Sequence, residues 1–154
     1  MIRVLSPTKT IIQGSWVSST SLSYAVCRCT IAFIWFYHGL VPKLLYLHED
    51  ELAMSMATGL SRASAEQLAM IGGVFEIGMS VIVLLFWHQR WPLLLTAAVM
   101  IGLLAFVAMF QPVLLTAAFN PVTTNVAVVA LSVVGLHLQH FAAPKLPKSS
   151  ALRR

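Results

Sequence analysis

The sequence predicts an all-α membrane protein, a four-transmembrane-helix bundle with a short outer-surface helix between spans one and two. Composition gives the first evidence for this class. Of the 154 residues, 58% are hydrophobic and only 10% are charged, whereas soluble domains carry about 25% charged residues. The apolar residues also fall into four long segments, each close to the roughly 20 residues that cross a hydrocarbon core. A soluble chain of this length could not bury so much apolar surface.

The four spans are predicted at residues 22–45, 65–87, 92–110 and 121–141. Residues 22–141 therefore form a single transmembrane domain, between an N-terminal tail at 1–21 and a basic C-terminal tail at 142–154. The first segment is long enough to span the bilayer, and no small-residue cleavage site follows it. We therefore expect the first span to be retained rather than removed as a signal peptide.

Local sequence signals support the boundaries of the later spans. Ser64 with Gln67 has the spacing of a capping box and predicts the start of span two. Pro92 suits the first position of a helix and predicts the start of span three. Asn120 followed by Pro121 is an N-cap with a proline at the next position, which predicts the start of span four.

The connection between spans one and two carries the outer-surface helix. Its segment 48–51 contains Glu49, Asp50 and Glu51 in succession. Acidic side chains at the start of a helix interact favourably with its dipole. We expect a short helix from this point, lying at the membrane surface and closed by Gly59.

Basic residues predict the orientation of the bundle. With four spans, the N-tail, the second loop and the C-tail share one side, which holds eight Lys and Arg residues. The other side holds two, Lys43 and Arg62. The positive-inside rule therefore predicts a multi-pass protein of the cell inner (cytoplasmic) membrane with both termini cytoplasmic. Because the basic residues are spread along the chain rather than gathered on one face, no nucleic-acid partner is expected despite the formal net charge of +5.

Glu76 is the most informative residue in the spans. No other charged residue lies between Glu66 and Arg90, and a carboxylate near the centre of a span costs about 2.5–3.5 kcal/mol on insertion scales. Such a group requires a counter-charge, a proton or a function. Helical spacing places Gly72 and Ser80 on the same face, and small residues there would let a neighbouring helix approach closely.

Polar residues of the other spans are expected to surround Glu76. The candidate cluster consists of Arg28, His38, Lys43, Glu76, Asn120 and Asn125. A rise of about 1.5 Å per residue places Arg28 on the cytoplasmic side of Glu76, with His38, Lys43 and Asn125 on the outer side. Glu76 thus has two possible partners, Arg28 and His38. Two interpretations stay open: an Arg28–Glu76 pair that fixes helix packing, and a role in proton or ligand handling.

Catalytic and metal signatures are absent from the sequence. It contains no Walker loop, no GxGxxG and no GxSxG motif, so no catalytic residue is assigned. No His or Cys cluster has metal-ligand spacing, so no metal is expected. Cys27 and Cys29 are two residues apart on a predicted helix, point in different directions, and are interpreted as apolar packing residues.

Three stretches of the chain resemble the DoxX-like membrane proteins. They are GLVPKLL at 39–45, FEIG at 75–78 and FNPVTTN at 119–125. The resemblance covers about residues 28–137 and is carried by the three stretches together, in this order. It implies a four-helix membrane fold and says little about chemistry.

The resemblance also implies an association with redox enzymes. DoxX proteins take their name from a subunit of a thiosulfate:quinone oxidoreductase, and related proteins belong to oxidative-stress membrane complexes or are fused to NAD-binding, epimerase-like domains. The implied function is an accessory subunit or partner of a quinone-linked or stress-related oxidoreductase complex, with quinone as the candidate ligand. The implied partners are the lipid bilayer, a redox enzyme or an NAD-binding epimerase-like protein, and further copies of the chain. The alternatives are a small transporter-like protein and a scaffold whose buried Arg/Glu pair is structural.

Overall fold

The computed structural model describes residues 8–118 and 120–142, which form helices and contain no strand. The five α-helices are α1 (Thr8–Gly39), α2 (Glu49–Met56), α3 (Arg62–Leu85), α4 (Trp91–Phe110) and α5 (Pro121–Ala142). A π-helix, Leu40–Leu45, continues α1, and a 3-10 helix, Pro112–Thr116, follows α4. The predicted all-α class is therefore confirmed.

Four helical segments of the described chain are long and apolar enough to cross a membrane. They are Ser19–Leu45, Arg62–Leu85, Trp91–Phe110 and Pro121–Gln139. These segments correspond to the four predicted spans. The short helix predicted between the first two spans is α2, and the chain turns from it toward α3 through Gly59, whose φ is 93°.

Three boundaries test the predicted helix signals. Helix α1 begins at Thr8 and so extends into the predicted N-terminal tail. The prediction that Ser64 caps α3 is wrong, because the extended residue Ser61 is the N-cap and its hydroxyl accepts a hydrogen bond from the Ser64 N–H at 3.2 Å. Asn120 is confirmed as the cap of α5, since its Oδ1 accepts from the Thr123 N–H at 3.0 Å. Of the predicted C-terminal tail, residues 143–154 lie outside the described residues.

Helix α2 is fixed against the start of α3. Leu52 is its buried residue, with 1% of its surface exposed. The exposed Arg62 guanidinium lies 2.8 Å from Glu49 and 3.1 Å from Glu66. The hydrogen bond and charge of Arg62 hold the pKa of the Glu49 carboxyl below its usual value. Exposed pairs of this kind contribute little, so burial of Leu52 is the main contact that holds α2 in place.

The helices pack in the order α3, α1, α5, α4. Helix α1 packs against α3 and α5, and α5 also packs against α4. Helices α3 and α4 are joined by a short loop but make few contacts with each other. The bundle has two ends: the loop end, which contains residues 86–90, and the α2 end, which contains α2 and the 3-10 helix.

Helices α1 and α3 approach each other closely at Gly39 and Gly73. A Cβ atom added at Gly39 would lie 2.6 Å from the carbonyl oxygen of Gly73, and one added at Gly73 would lie 2.8 Å from the carbonyl oxygen of Gly39. The two backbones therefore touch. Small residues around Glu76 do permit close approach, but the contact passes through Gly73 rather than through Gly72 on the predicted stripe.

We expect Gly39→Ala to destabilise the protein by about 1–3 kcal/mol, the usual cost of overpacking a tight contact. Gly78→Ala is the matched control, because a Cβ atom at that helical position meets nothing within 4 Å. The control should keep or gain stability, by up to about 1 kcal/mol from helix propensity. Denaturant titration in detergent micelles measures both, and equal stability of the two variants would contradict the backbone contact.

Candidate functional site

A cavity of about 610 Å³ occupies the α2 end of the bundle. Its lining comes from all five α-helices and from both short helices. The walls are mainly apolar and include Trp35, Met54, Leu103 and Phe106. The charged and histidine side chains that line it are His38, Lys43, His48, Asp50, Glu51 and Glu76. Small-molecule sites commonly have this size and this mixture of apolar walls and few polar groups.

A buried ion pair stands in the wall of this cavity. Lys43 Nζ donates to Glu76 Oε1 at 2.6 Å, and the two side chains are only 12% and 8% exposed. The pair joins the π-helix to the middle of α3. Each charge thus has its counter-charge inside the membrane-spanning region, where an isolated charge is costly.

The π-helix gives Lys43 its position. Pro42 has no N–H and so cannot donate the regular helical hydrogen bond to the carbonyl of His38. The chain widens here, and the Tyr46 N–H bonds to the Val41 carbonyl oxygen five residues earlier, at 2.9 Å. Such widened turns occur frequently at functional sites. In this chain the widened turn carries Lys43 to the carboxylate of α3.

Lys43 also connects the site to α2. Its Nζ lies 3.5 Å from Glu51 Oε2, so one cation bridges carboxylates from two helices. The sequence placed Glu51 only at the start of a surface helix, and its part in the site was missed. The acidic residues at 49–51 follow Lys43 closely in the sequence and could have suggested such a contact. Which of them reaches Lys43 depends, however, on the π-helix and on the turn that follows it.

The two oxygens of the Glu76 carboxylate differ in their contacts. Within the described residues, Oε2 is buried and makes no hydrogen bond, although Oε1 is paired with Lys43. A buried acceptor without a donor is unfavourable by about 1–3 kcal/mol. The carboxylates of Asp50, Glu51 and Glu76 face the same cavity as the single lysine. The polar lining therefore combines three carboxylates with one lysine and with several histidine, asparagine and hydroxyl side chains.

Arg28 does not contact Glu76, and the predicted pair is wrong. The arginine is fully buried at the loop end and donates from Nη1 to the carbonyls of Val83 at 2.6 Å and Phe86 at 2.9 Å. Its Nη2 donates to the carbonyl of Gln89. The last carbonyls of a helix lack intrahelical donors, and Arg28 satisfies those of α3 instead of pairing with the carboxylate. It is a helix cap supplied by a neighbouring helix.

The remaining candidate residues lie at the α2 end. His38, Asn120 and Asn125 all line the cavity together with Lys43 and Glu76. Asn125 Nδ2 donates to the carbonyl of Met100 at 3.4 Å and links α5 to α4. The structure therefore brings together five of the six candidate residues, and separates Arg28 from them.

The floor of the cavity is closed by a packed layer. Trp35 Nε1 donates to Thr96 Oγ1 at 3.1 Å, which joins α1 to α4. Ile31, Met79 and Val128 are each no more than 1% exposed. Sequence reasoning missed Thr96, although it is the single hydroxyl residue in the apolar segment 92–110. Such a hydroxyl requires a partner inside the bundle.

The two cysteines take no part in this site. Cys27 is buried, Cys29 is exposed, and both are free thiols. Their predicted divergence is confirmed. Cys29 lies in a shallow groove with Phe33 and Ser80, whose residues do not line the cavity.

Comparison with known proteins assigns the family. The sequence model of the DoxX-like family matches residues 32–133. The chain belongs to the DoxX-like family. No curated protein and no solved structure matches the chain. The DoxX-like match includes Lys43, Glu76 and Asn125 of the cavity, whereas Arg28 precedes it.

Proposed function

We propose that this DoxX-like protein is an accessory membrane subunit of a quinone-linked oxidoreductase complex, and that its cavity binds the quinone head group. The observation that carries this proposal is the Lys43–Glu76 pair in the wall of a mainly apolar cavity. The pair forms a polar end of the cavity, whereas most of the remaining wall is apolar and suits an aromatic-like ring.

The chemistry of a quinone matches the lining in two respects. A quinone oxygen accepts hydrogen bonds, and the Lys43 ammonium carries three N–H donors, which makes it a strong donor for such an oxygen. The flat ring fits against the apolar side chains of Trp35, Met54 and Phe106. Polar contact at one end and apolar contact elsewhere is the usual arrangement of a small-molecule site.

The apolar tail of the ligand would leave the cavity between α3 and α4. These helices make few contacts with each other. Leu68 of α3 and Leu103 of α4 line the cavity and are also 48% and 39% exposed. The exposure of the two leucines supports a lateral opening toward the lipid, through which a lipid-soluble ligand would reach the site.

Electrons would come from another protein. The sequence has no dinucleotide-binding motif of its own, so we propose a redox enzyme or an NAD-binding epimerase-like protein as the partner. The eight-to-two distribution of basic residues supports an inner-membrane location with both termini cytoplasmic. In that orientation the cavity faces the outer half of the bilayer. Association with further copies of the chain stays part of the proposal.

Purification of the native complex tests this function. Mild detergent extraction followed by mass spectrometry should recover an oxidoreductase subunit with the chain, and solvent extraction should recover about one quinone per chain. Lys43→Met should lose the quinone and keep the partner, since Lys43 lines the cavity. Recovery of the chain without a redox enzyme and without quinone would contradict the proposal.

The transporter-like and scaffold alternatives lead to different results. Transport needs a path across the bundle, and the packed layer of Ile31, Trp35 and Met79 below the cavity favours binding over passage. A scaffold role now concerns the Lys43–Glu76 pair rather than an Arg/Glu pair. In that case changes at the pair would alter stability but not ligand binding, which Lys43→Met, alone and combined with Glu76→Met, would reveal.

A further inference from the structure

We infer that helix α2 is a movable wall of the cavity, which the ligand holds closed and whose opening releases the ligand. The closed state is the one in the structure, with α2 packed on α3. Closure on a quinone rests on the proposed function, whereas the mobility of α2 follows from the contacts of the helix itself.

Helix α2 supplies part of the cavity wall. Asp50, Glu51, Met54 and Ser55 belong to this helix and line the cavity. A ligand that touches these side chains therefore contacts α2 as well as the membrane spans. Part of its binding energy depends on α2 being in place.

Few contacts hold α2 in this position. The helix has eight residues, whereas isolated helices shorter than about 12–15 residues are marginal in water. Leu52 is its buried residue. Toward α4, Gln111 Nε2 donates to the carbonyl of Ala53 at 3.4 Å, which is long for a hydrogen bond. Elements with few buried apolar contacts open locally at low cost in free energy.

The ion pair between α2 and the polar end of the cavity is loose. Lys43 Nζ lies 3.5 Å from Glu51 Oε2 but 2.6 Å from Glu76 Oε1, and charge-assisted hydrogen bonds are about 2.7–2.9 Å long. Opening of α2 thus separates Glu51 from Lys43 and leaves the Lys43–Glu76 pair intact. The chain leaves α2 through Gly59, where a Cβ atom would meet nothing within 4 Å, so the turn has room to move.

Ligand binding and closure of α2 are therefore linked. A ligand that contacts α2 only in the closed state shifts the population toward that state. If the ligand binds the closed state alone, opening is suppressed by the factor 1 + [L]/Kd, which is about tenfold at a ligand concentration ten times Kd. Local opening also limits the exchange of the backbone amide hydrogens of α2, so hydrogen exchange reports the motion directly.

Hydrogen exchange measured by mass spectrometry tests the movable wall. The purified protein in lipid nanodiscs is compared without ligand and with decylubiquinone at about ten times its Kd, which is measured by quenching of tryptophan fluorescence. We expect the ligand to slow exchange in residues 49–56 about tenfold and to leave exchange in the loop at residues 86–90 unchanged. In the ligand-free protein, residues 49–56 should exchange at least about tenfold faster than residues 76–83 of α3.

Leu52→Ala tests whether α2 controls the ligand. Leu52 is 1% exposed and does not line the cavity, so its effect on the ligand acts through α2. Release of decylubiquinone to excess empty nanodiscs, followed by tryptophan fluorescence, should be at least about tenfold faster, because the main contact of closed α2 is lost. Leu93→Ala is the matched control, since Leu93 is 0% exposed, lies in α4 and does not line the cavity. Its release rate should stay within about twofold of wild type, as for an independent site.

The outcomes separate the motion of α2 from the proposed function. Bound decylubiquinone that leaves exchange in residues 49–56 unchanged overturns the movable wall and keeps quinone binding. Equal release rates in Leu52→Ala and Leu93→Ala also overturn it. Exchange in residues 49–56 as slow as in residues 76–83 overturns it without any ligand, and this wild-type comparison holds even where Leu52→Ala fails to fold. Failure of decylubiquinone to bind the wild-type protein overturns the proposed function and closure on a quinone.

Discussion

Lys43→Met is expected to abolish ligand binding and to destabilise the protein by about 3–5 kcal/mol. The substitution keeps an unbranched side chain but removes the donor at the polar wall, so both redox forms of decylubiquinone should bind at least tenfold more weakly. It also leaves Glu76 buried without its counter-charge, and breaking a buried pair from one side has about this cost. Fluorescence titration and denaturant titration measure the two effects.

Arg62→Met is the matched control for this change. Arg62 also pairs with two carboxylates, Glu49 and Glu66, but it is 57% exposed and does not line the cavity. Surface pairs contribute about 0–1 kcal/mol, so the control should lose little stability and no affinity. Equal losses in the two variants would contradict the importance of burial at Lys43.

A double variant separates the structural role of the pair from its binding role. Replacement of a buried ion pair by apolar residues of similar size is often neutral or stabilising. Lys43→Met combined with Glu76→Met should therefore recover most of the stability lost in Lys43→Met. Ligand binding should stay absent, because the Lys43 donor is gone. Recovery of binding together with stability would show that the pair is only structural.

Arg28→Met has the second large expected effect, a loss of about 3–5 kcal/mol in stability with ligand affinity unchanged within about twofold. The substitution removes donors to three backbone carbonyls, those of Val83, Phe86 and Gln89. Each hydrogen bond to a charged group contributes about 1.5–3 kcal/mol. In the variant these carbonyls, which are at least partly buried, would lose their donor. Affinity should persist because Arg28 is at the loop end, away from the cavity. Denaturant and ligand titrations of the same sample give both values.

A double-mutant cycle checks that Arg28 and Glu76 are independent. Their effects on stability should add within about 0.5 kcal/mol, as for residues without a shared contact. A coupling energy above about 1 kcal/mol would show that Arg28 and Glu76 interact, which would contradict the structure.

The fold and the grouping of five of the six polar candidate residues could be predicted because they depend on regular periodicities. Long apolar segments predict the spans, and helical spacing places His38, Glu76 and Asn125 toward the interior. The partner of Glu76 could not be predicted in the same way. Counting 1.5 Å per residue assumes a regular helix, and the π-helix at Pro42 changes the direction and depth of Lys43.

Arg28 shows a second limit of sequence reasoning. A charge in a span was expected to pair with the opposite charge, but the buried carbonyls at the end of α3 were the acceptors within reach. Backbone acceptors are invisible in a list of side chains, since every residue has one. The N-cap of α3 shows a similar limit. Both Ser61 and Ser64 are suitable capping residues, and the path of the chain after Gly59 decides that Ser61 is the cap.

Photoaffinity labelling tests the central claim, that the cavity beside Lys43 and Glu76 is a quinone site. An azido-ubiquinone is crosslinked to the protein in nanodiscs and the labelled peptides are identified by mass spectrometry. Labels are expected on cavity residues such as Met54, Met100 or Phe106, should be displaced by excess decylubiquinol, and should be absent in Lys43→Met. Labels confined to the shallow groove around Cys29 and Phe33, or unaffected by the competitor, would contradict the account.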